Sequence, residues 1–145
     1  IAKLAIASLK DGRKMYSSYD VGKQLDRQRG YLALDNFDYE SLFSTTFGMN
    51  KADRIATFDS GSTHAMTLTA VDLDKDGNPL KWKVENSWGA SNGVGGCFIM
   101  TNDWFNEYMF RLVVNNEYVP AELLKEYEQK PLMVMPEDPL FGEDM

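Results

Sequence analysis

At 145 residues, 43% of them hydrophobic and 12% aromatic, the chain can bury one sizeable core and is too apolar to be a disordered segment. Its net charge of -7 is spread without a basic stripe, which argues against nucleic acid as a partner, and a single cysteine excludes both an internal disulfide and a Cys/His zinc cage. No apolar run approaches the ~18 residues of a membrane-spanning helix, so no membrane partner is expected.

Ile1, Leu4, Ala5, Ser8 and Leu9 fall at helical spacing, and Lys10-Asp11-Gly12 closes that helix with a cation and a glycine able to turn left-handed. A helix already under way at the first residue is the pattern of a piece of something larger. Met15 to Val21 reads as a strand. Residues 23–60 are mixed and polar, a helical insertion in which Asp38 can cap a short helix between Tyr39 and Phe47. From His64 the spacing becomes that of a strand: His64, Met66, Leu68 and Ala70 share one parity, Ala65, Thr67, Thr69 and Val71 the other. A turn cluster from Asp72 to Pro79 leads into Lys81-Trp82-Lys83-Val84-Glu85-Asn86, whose strict alternation turns Trp82, Val84 and Asn86 inward together. After the glycine-rich loop 89–96 comes a strand, Cys97 to Met100. Thr101 or Asn102 then caps a helix carrying Trp104, Phe105 and Tyr108, and Arg111 to Val114 returns as a strand. Pro120 suits the first turn of a last helix with Leu123, Leu124 and Tyr127, beyond which Pro131, Pro136 and Pro139 prevent helix. The expected architecture is α+β, an antiparallel sheet or small barrel with helices at its edges, spanning residues 1–130 and followed by a tail, 131–145.

Few residues here could carry chemistry. His64 is the one histidine, and on a strand face it is either a satisfied structural residue or a base. Asn86, inward between Val84 and Trp88, buries an amide that costs ~1 to 3 kcal/mol if left unpaired. If the two strands pair across the 72–79 turn, His64 and Asn86 share a face, and the amide oxygen can fix the imidazole tautomer. That is the orienting half of a Cys-His-Asn triad; an amide locking a sheet corner is the plainer reading. Cys97 enters an apolar strand from Gly95-Gly96, without the helix N-terminus or neighbouring cation that activates a thiol, so it reads as an inert core residue. Asp72, Asp74, Asp76 and Gly77 begin like a calcium loop, but the twelfth position is Lys83 where a glutamate is needed, so the segment reads as a hairpin turn. Gly93-Val94-Gly95-Gly96 does not follow a phosphate-binding pattern either. No metal and no cofactor is expected.

Thr63-His64-Ala65-Met66, Lys81 through Gly89 (KWKVENSWG) and Gly95 through Phe105 (GGCFIMTNDWF) closely resemble the C-terminal part of the bleomycin hydrolase and aminopeptidase C family of papain-like cysteine peptidases. Tyr19-Asp20-Val21-Gly22-Lys23, Met49 to Arg54, Val119-Pro120 and Asp138-Pro139 extend the resemblance over essentially the whole chain. It implies the β-barrel lobe of a papain-like fold, with His64 as catalytic base, Asn86 orienting it and Trp88 covering the bond between them. It also implies that the nucleophilic cysteine and the oxyanion-hole glutamine lie upstream, in a missing N-terminal lobe. This chain alone is then an inactive wall of the cleft.

The same resemblance implies a peptide substrate, an aminopeptidase that proceeds through a thioester, a cytoplasmic location and assembly as a homohexamer. It places the tail in the active-site cleft, where Asp144 and the carboxylate of Met145 would hold a substrate's ammonium group and the bulk of the tail would stop longer peptides. Phe141 and the Glu143-Asp144 pair depart from the small apolar ending of the family. The alternative is a papain-like scaffold without activity, a binding or assembly module whose missing half has lost its cysteine.

Overall fold

Two long strands set the frame of the computed structural model, which describes residues 1–139. Strand β4 (His64–Leu73) and strand β5 (Pro79–Glu85) form an antiparallel ribbon in which Leu68 faces Val84, both with no exposed surface. Strand β6 (Cys97–Thr101) pairs with the other side of β5 and brings Phe98 opposite Val84. Strand β1 (Met15–Tyr19) pairs with β4, Tyr19 opposite His64, and strand β7 (Met109–Leu112) closes that edge. Two very short strands, β2 (Leu25–Asp26) and β3 (Tyr31–Leu32), complete an open seven-stranded sheet in the order β2-β3-β6-β5-β4-β1-β7.

The sheet is antiparallel as expected except where β3 runs parallel to β6, with Tyr31 beside Ile99. A second difference lies within β4. The register shifts between Leu68 and Ala70, so Val71 packs on the core opposite Trp82 while Ala70 is exposed. One extra residue in a bulge inverts the alternation beyond it, which is why the parity read from His64 to Leu68 does not continue to Ala70.

Helix α1 (Ala2–Lys10) buries Ala5 and Ser8, and Gly12 follows it at φ +73, the left-handed stop its sequence suggested. Within the insertion, Asp38 caps helix α2 (Tyr39–Phe43) by accepting from Ser41 N–H. The segment also holds a helix that spacing did not reveal, α3 (Lys51–Ala56), started by a reciprocal capping box between Asn50 and Asp53. Thr101 caps helix α4 (Asn102–Tyr108). Because Met109 is already extended, β7 begins there, two residues before the strand expected at Arg111. Pro120 precedes helix α5 (Ala121–Tyr127) as its cap.

Aromatic side chains make the core under the sheet. Trp82 stacks on Phe105 with centroids 4.4 Å apart, and Tyr19 lies 5.8 Å from Trp104. Their polar atoms are all spoken for: Trp82 Nε1 donates to Asn102 Oδ1, Trp104 Nε1 to Lys23 O, and Tyr19 OH to Ser17 Oγ. Each fully buried large side chain contributes ~1.5 to 3 kcal/mol, so this end of the sheet is a stiff platform for what sits on its rim.

Candidate active site

The open end of the β4–β5 ribbon brings the chemistry together. His64 begins β4 on the side of Met66 and Leu68, both buried. Glu85 pairs with Thr67, so Asn86 follows on the side of Trp82 and Val84, next to Met66 and diagonal to His64. Diagonal neighbours on one face are ~7 to 8 Å apart, a gap that two polar side chains close. Asn86 is held in place by its own N–H, which donates to Gly96 O at 2.9 Å.

His64 Nε2 lies 2.8 Å from Asn86 Oδ1, and Ser87 N–H donates to the same oxygen at 2.7 Å. A backbone N–H can only donate, so this atom is the carboxamide oxygen. Nε2 therefore donates, and in the neutral ring Nδ1 is the nitrogen that keeps a lone pair. The amide's other end is unspent as well. Asn86 Nδ2 is buried and has no acceptor among the described residues.

Trp88 lies against the imidazole with ring centroids 4.8 Å apart, and its edge contacts Phe98 at 5.7 Å, which ties it to the core. A guanidinium covers the indole from a distant segment: Arg27 sits 4.7 Å from the ring centroid, and its Nε donates to Asn92 Oδ1 at 2.9 Å. Asn92 Nδ2 in turn donates to Trp88 O at 2.6 Å. Trp88 is thus held by contacts from both the β2–β3 turn and its own loop.

Two glycines make that approach feasible. A Cβ on Gly30, at φ +65, would come within 2.5 Å of Gly93 Cα, and one on Gly93, at φ +61, would strike Cys97 O and the Phe98 ring. The glycine-rich loop is therefore a place where two backbones meet, in agreement with its reading as a turn. Sequence reasoning missed Arg27 and Asn92. Nothing in their local pattern announces them, since only the parallel β3–β6 pairing sets one beside the other.

Cys97 is half-buried and pairs with Glu85, which puts it on the face of the sheet opposite His64. Burial pushes the Tyr19 phenol far above its usual pKa, so it stays neutral beside His64. Beneath, desolvation raises the Asp20 carboxyl above the ordinary carboxylate range although Ser60 donates to it. In the 72–79 turn, Asp74 spends its carboxylate on Asp76 N–H, Asn78 N–H and Asn78 Nδ2. Among the described residues no group of three His, Cys, Asp or Glu could hold a metal ion. A larger concavity of about 700 Å³, including Phe37, Tyr39, Phe47 and Arg54, lies away from His64 and Asn86. Asp144 and Met145 lie outside the described residues.

Known proteins resemble this chain over nearly its whole length. The profile of the Peptidase C1-like family matches residues 1–141. Aminopeptidase C of Lactococcus lactis subsp. lactis is 42% identical over 138 residues, 95% of this chain and 32% of its own length. Bleomycin hydrolase of Homo sapiens is 41% identical over 143 residues, covering 97% of this chain and 31% of the human protein. The crystal structure of PepW from Lactobacillus rhamnosis HN001 superposes with a TM-score of 0.89 at 43% identity, over 96% of this chain and 32% of that one. The chain thus spans about a third of the length of the relatives it matches.

Proposed function

This chain belongs to the Peptidase C1-like family, and from that premise we propose that it forms one wall of the cleft of a thiol aminopeptidase, in which His64 is the base, Asn86 its orienting partner and the nucleophilic cysteine comes from upstream polypeptide. One observation carries the reading: a single carboxamide oxygen accepts from Ser87 N–H and lies 2.8 Å from His64 Nε2, which frees Nδ1 toward a nucleophile. The names of the relatives, aminopeptidase C and bleomycin hydrolase, agree with that chemistry.

The steps follow from the tautomer. Nδ1 takes the thiol proton, and the thiolate attacks the carbonyl carbon of the scissile bond. As the C–N bond breaks, Nδ1–H returns the proton to the leaving amine and a thioester remains. Water then gives a proton to Nδ1, attacks the thioester and expels the thiolate. A neutral amide is enough to hold the ring for this work, because it steers the imidazole without competing for its proton. Trp88, against the ring, keeps water from the Asn86 bond and so strengthens it. Among the described residues Asn86 Nδ2 has no acceptor, which the remaining polypeptide would supply. Further along the chain, Asp144 and Met145 would meet the substrate's ammonium group and confine release to N-terminal residues.

The test uses the full-length protein with an aminoacyl fluorogenic substrate. His64→Ala lowers kcat by ~10³-fold or more with the fold intact, as loss of a general base requires. Turnover near the wild-type level in that variant overturns the assignment. The 145 residues alone are inactive, since Cys97, their one cysteine, lies across the sheet from His64.

A further inference from the structure

His64 is the first residue of β4, and the ladder between β1 and β4 begins with it, at the pair Tyr19 and His64. The end of a strand is where pairing frays most readily, yet the ring placed there lies 2.8 Å from Asn86 Oδ1. Groups that work together in this way must be held to within ~0.5 Å of their geometry. Asn86 has the bond from its N–H to Gly96 O, on the β6 side. The matching restraint on His64 has to come from the β1 side.

The residues that lead into β4 supply it with hydroxyls. Ser60, Gly61, Ser62 and Thr63 precede His64. Ser60 Oγ donates to Asp20 Oδ2 at 2.8 Å, and Ser62 Oγ donates to Ser18 Oγ at 2.9 Å; all four of these partners are buried. Thr63 goes further. Its N–H donates to Tyr19 O at 3.0 Å, and its Oγ1 donates to the same carbonyl at 3.3 Å while accepting from Val21 N–H at 3.1 Å. One hydroxyl thus plays both parts, donor and acceptor, that a backbone residue plays in a ladder, and a carbonyl oxygen with two lone pairs can serve both of the Thr63 donors. Pairing continues past the start of β4 through side chains, so residues 60–63 are sewn to residues 18–21.

We propose that Thr63 is a positioning residue: its hydroxyl, bonded to Tyr19 and Val21 and backed by Ser62 on Ser18, sets the place of the His64 ring against Asn86. The inference rests on the reading of His64 as the base, and adds the element that aims it. The two partners of the 2.8 Å contact are then anchored from opposite sides, Asn86 through Gly96 and His64 through Thr63. With the hydroxyl gone the strand end is free to shift, and a misplacement of ~1 Å costs a reaction up to ~10²-fold. Thr63 bonds to β1 rather than to the ring, so its effect reaches the chemistry through the position of His64.

The experiment compares two variants of the full-length protein: Thr63→Val, which keeps the branched shape and removes both hydroxyl bonds, and Thr63→Ser, which keeps both. Thr63→Val is expected to lower kcat by ~10 to 100-fold with KM little changed, and Thr63→Ser to restore most of the loss. Nitrogen NMR of the neutral His64 ring adds a readout that a merely structural role would not move: the wild type shows the Nε2–H tautomer, and Thr63→Val shows both. Wild-type turnover in Thr63→Val overturns the proposal. So do equal losses in the two variants, or a slowed Thr63→Val whose ring keeps the single tautomer. If His64→Ala turns over like the wild type, the reading of His64 as the base falls, and the tautomers of Thr63→Val still decide whether the hydroxyl places the ring. Should Thr63→Val lose its cooperative unfolding transition, Ser62→Ala decides by the same two readouts: a smaller fall in kcat with both tautomers supports the proposal, and wild-type turnover with one tautomer overturns it.

Discussion

The β4–β5 ribbon has two ends, each crowded with polar side chains, and they differ in what is left over. At the closed end Asp74 accepts from Asp76 N–H at 2.9 Å, from Asn78 N–H at 2.8 Å and from Asn78 Nδ2 at 3.0 Å, while Asp74 N–H donates to Asn78 O. Gly77, at φ +85, completes the turn. At the open end the ties run one way: Asn86 Oδ1 is fully engaged, yet among the described residues no hydrogen bond reaches His64 Nδ1 or Asn86 Nδ2. A polar cluster that closes on itself is a piece of architecture. One that fixes its geometry and keeps a lone pair in reserve is suited to chemistry.

If that distinction is right, a change at the open end harms turnover without unfolding the protein. On the proposed function, Asn86→Ala in the full-length protein is expected to lower kcat by ~10 to 100-fold with KM little changed, the usual cost of losing the partner that orients a reactive imidazole. Nitrogen NMR of the His64 ring checks the cause. Wild type carries its proton on Nε2, and the variant shows both tautomers. An unaltered tautomer with lowered turnover would mean that Asn86 acts by some route other than orientation.

A smaller effect sharpens the comparison further, because it starts outside the ribbon. Arg27 touches neither His64 nor Asn86; it holds Trp88 from above and Asn92 from the side. Arg27→Ala should reduce kcat about threefold to tenfold, in keeping with ~0.5 to 1 kcal/mol for a cation–π contact at a partly exposed site plus a lost hydrogen bond. Arg27→Lys keeps the charge but not the flat guanidinium with its Nε donor, and is expected to recover only part of the loss. Full recovery by lysine would reduce Arg27 to a source of positive charge.

The meeting of His64 and Asn86 on one face was legible because adjacent strands joined by a short turn have a register that parity nearly fixes, and the bulge that upsets this parity falls beyond Leu68; the place of Trp88 over them came only with the family resemblance. The helix caps at Asp38 and Thr101 were legible for the same local reason. The Arg27 clamp was not: β2 and β3 are two residues each, too short to show a period, and the parallel contact with β6 joins segments some seventy positions apart. Helix α3 escaped because its capping box uses Asn50 and Asp53, residues that suit turns equally well.

The mildest test addresses the closed end. Hydrogen bonds from Asn78, its side chain first and its backbone second, hold the Asp74 carboxyl below the usual carboxylate range. A depressed carboxyl stabilises the fold above its unfolded pKa, near 3.8, and that contribution fades as the pH falls through the folded value. Asp74→Asn removes this dependence. Its unfolding temperature should drop slightly at neutral pH and converge on the wild type in acid, while kcat and KM stay at wild-type values because the turn touches nothing at the open end. Addition of calcium should move neither protein, since the ligating oxygens are already accepting from the turn's own N–H groups. A calcium-dependent rise in wild-type stability that Asp74→Asn abolishes would show that the closed end keeps something in reserve after all, and the contrast drawn between the two ends would fail.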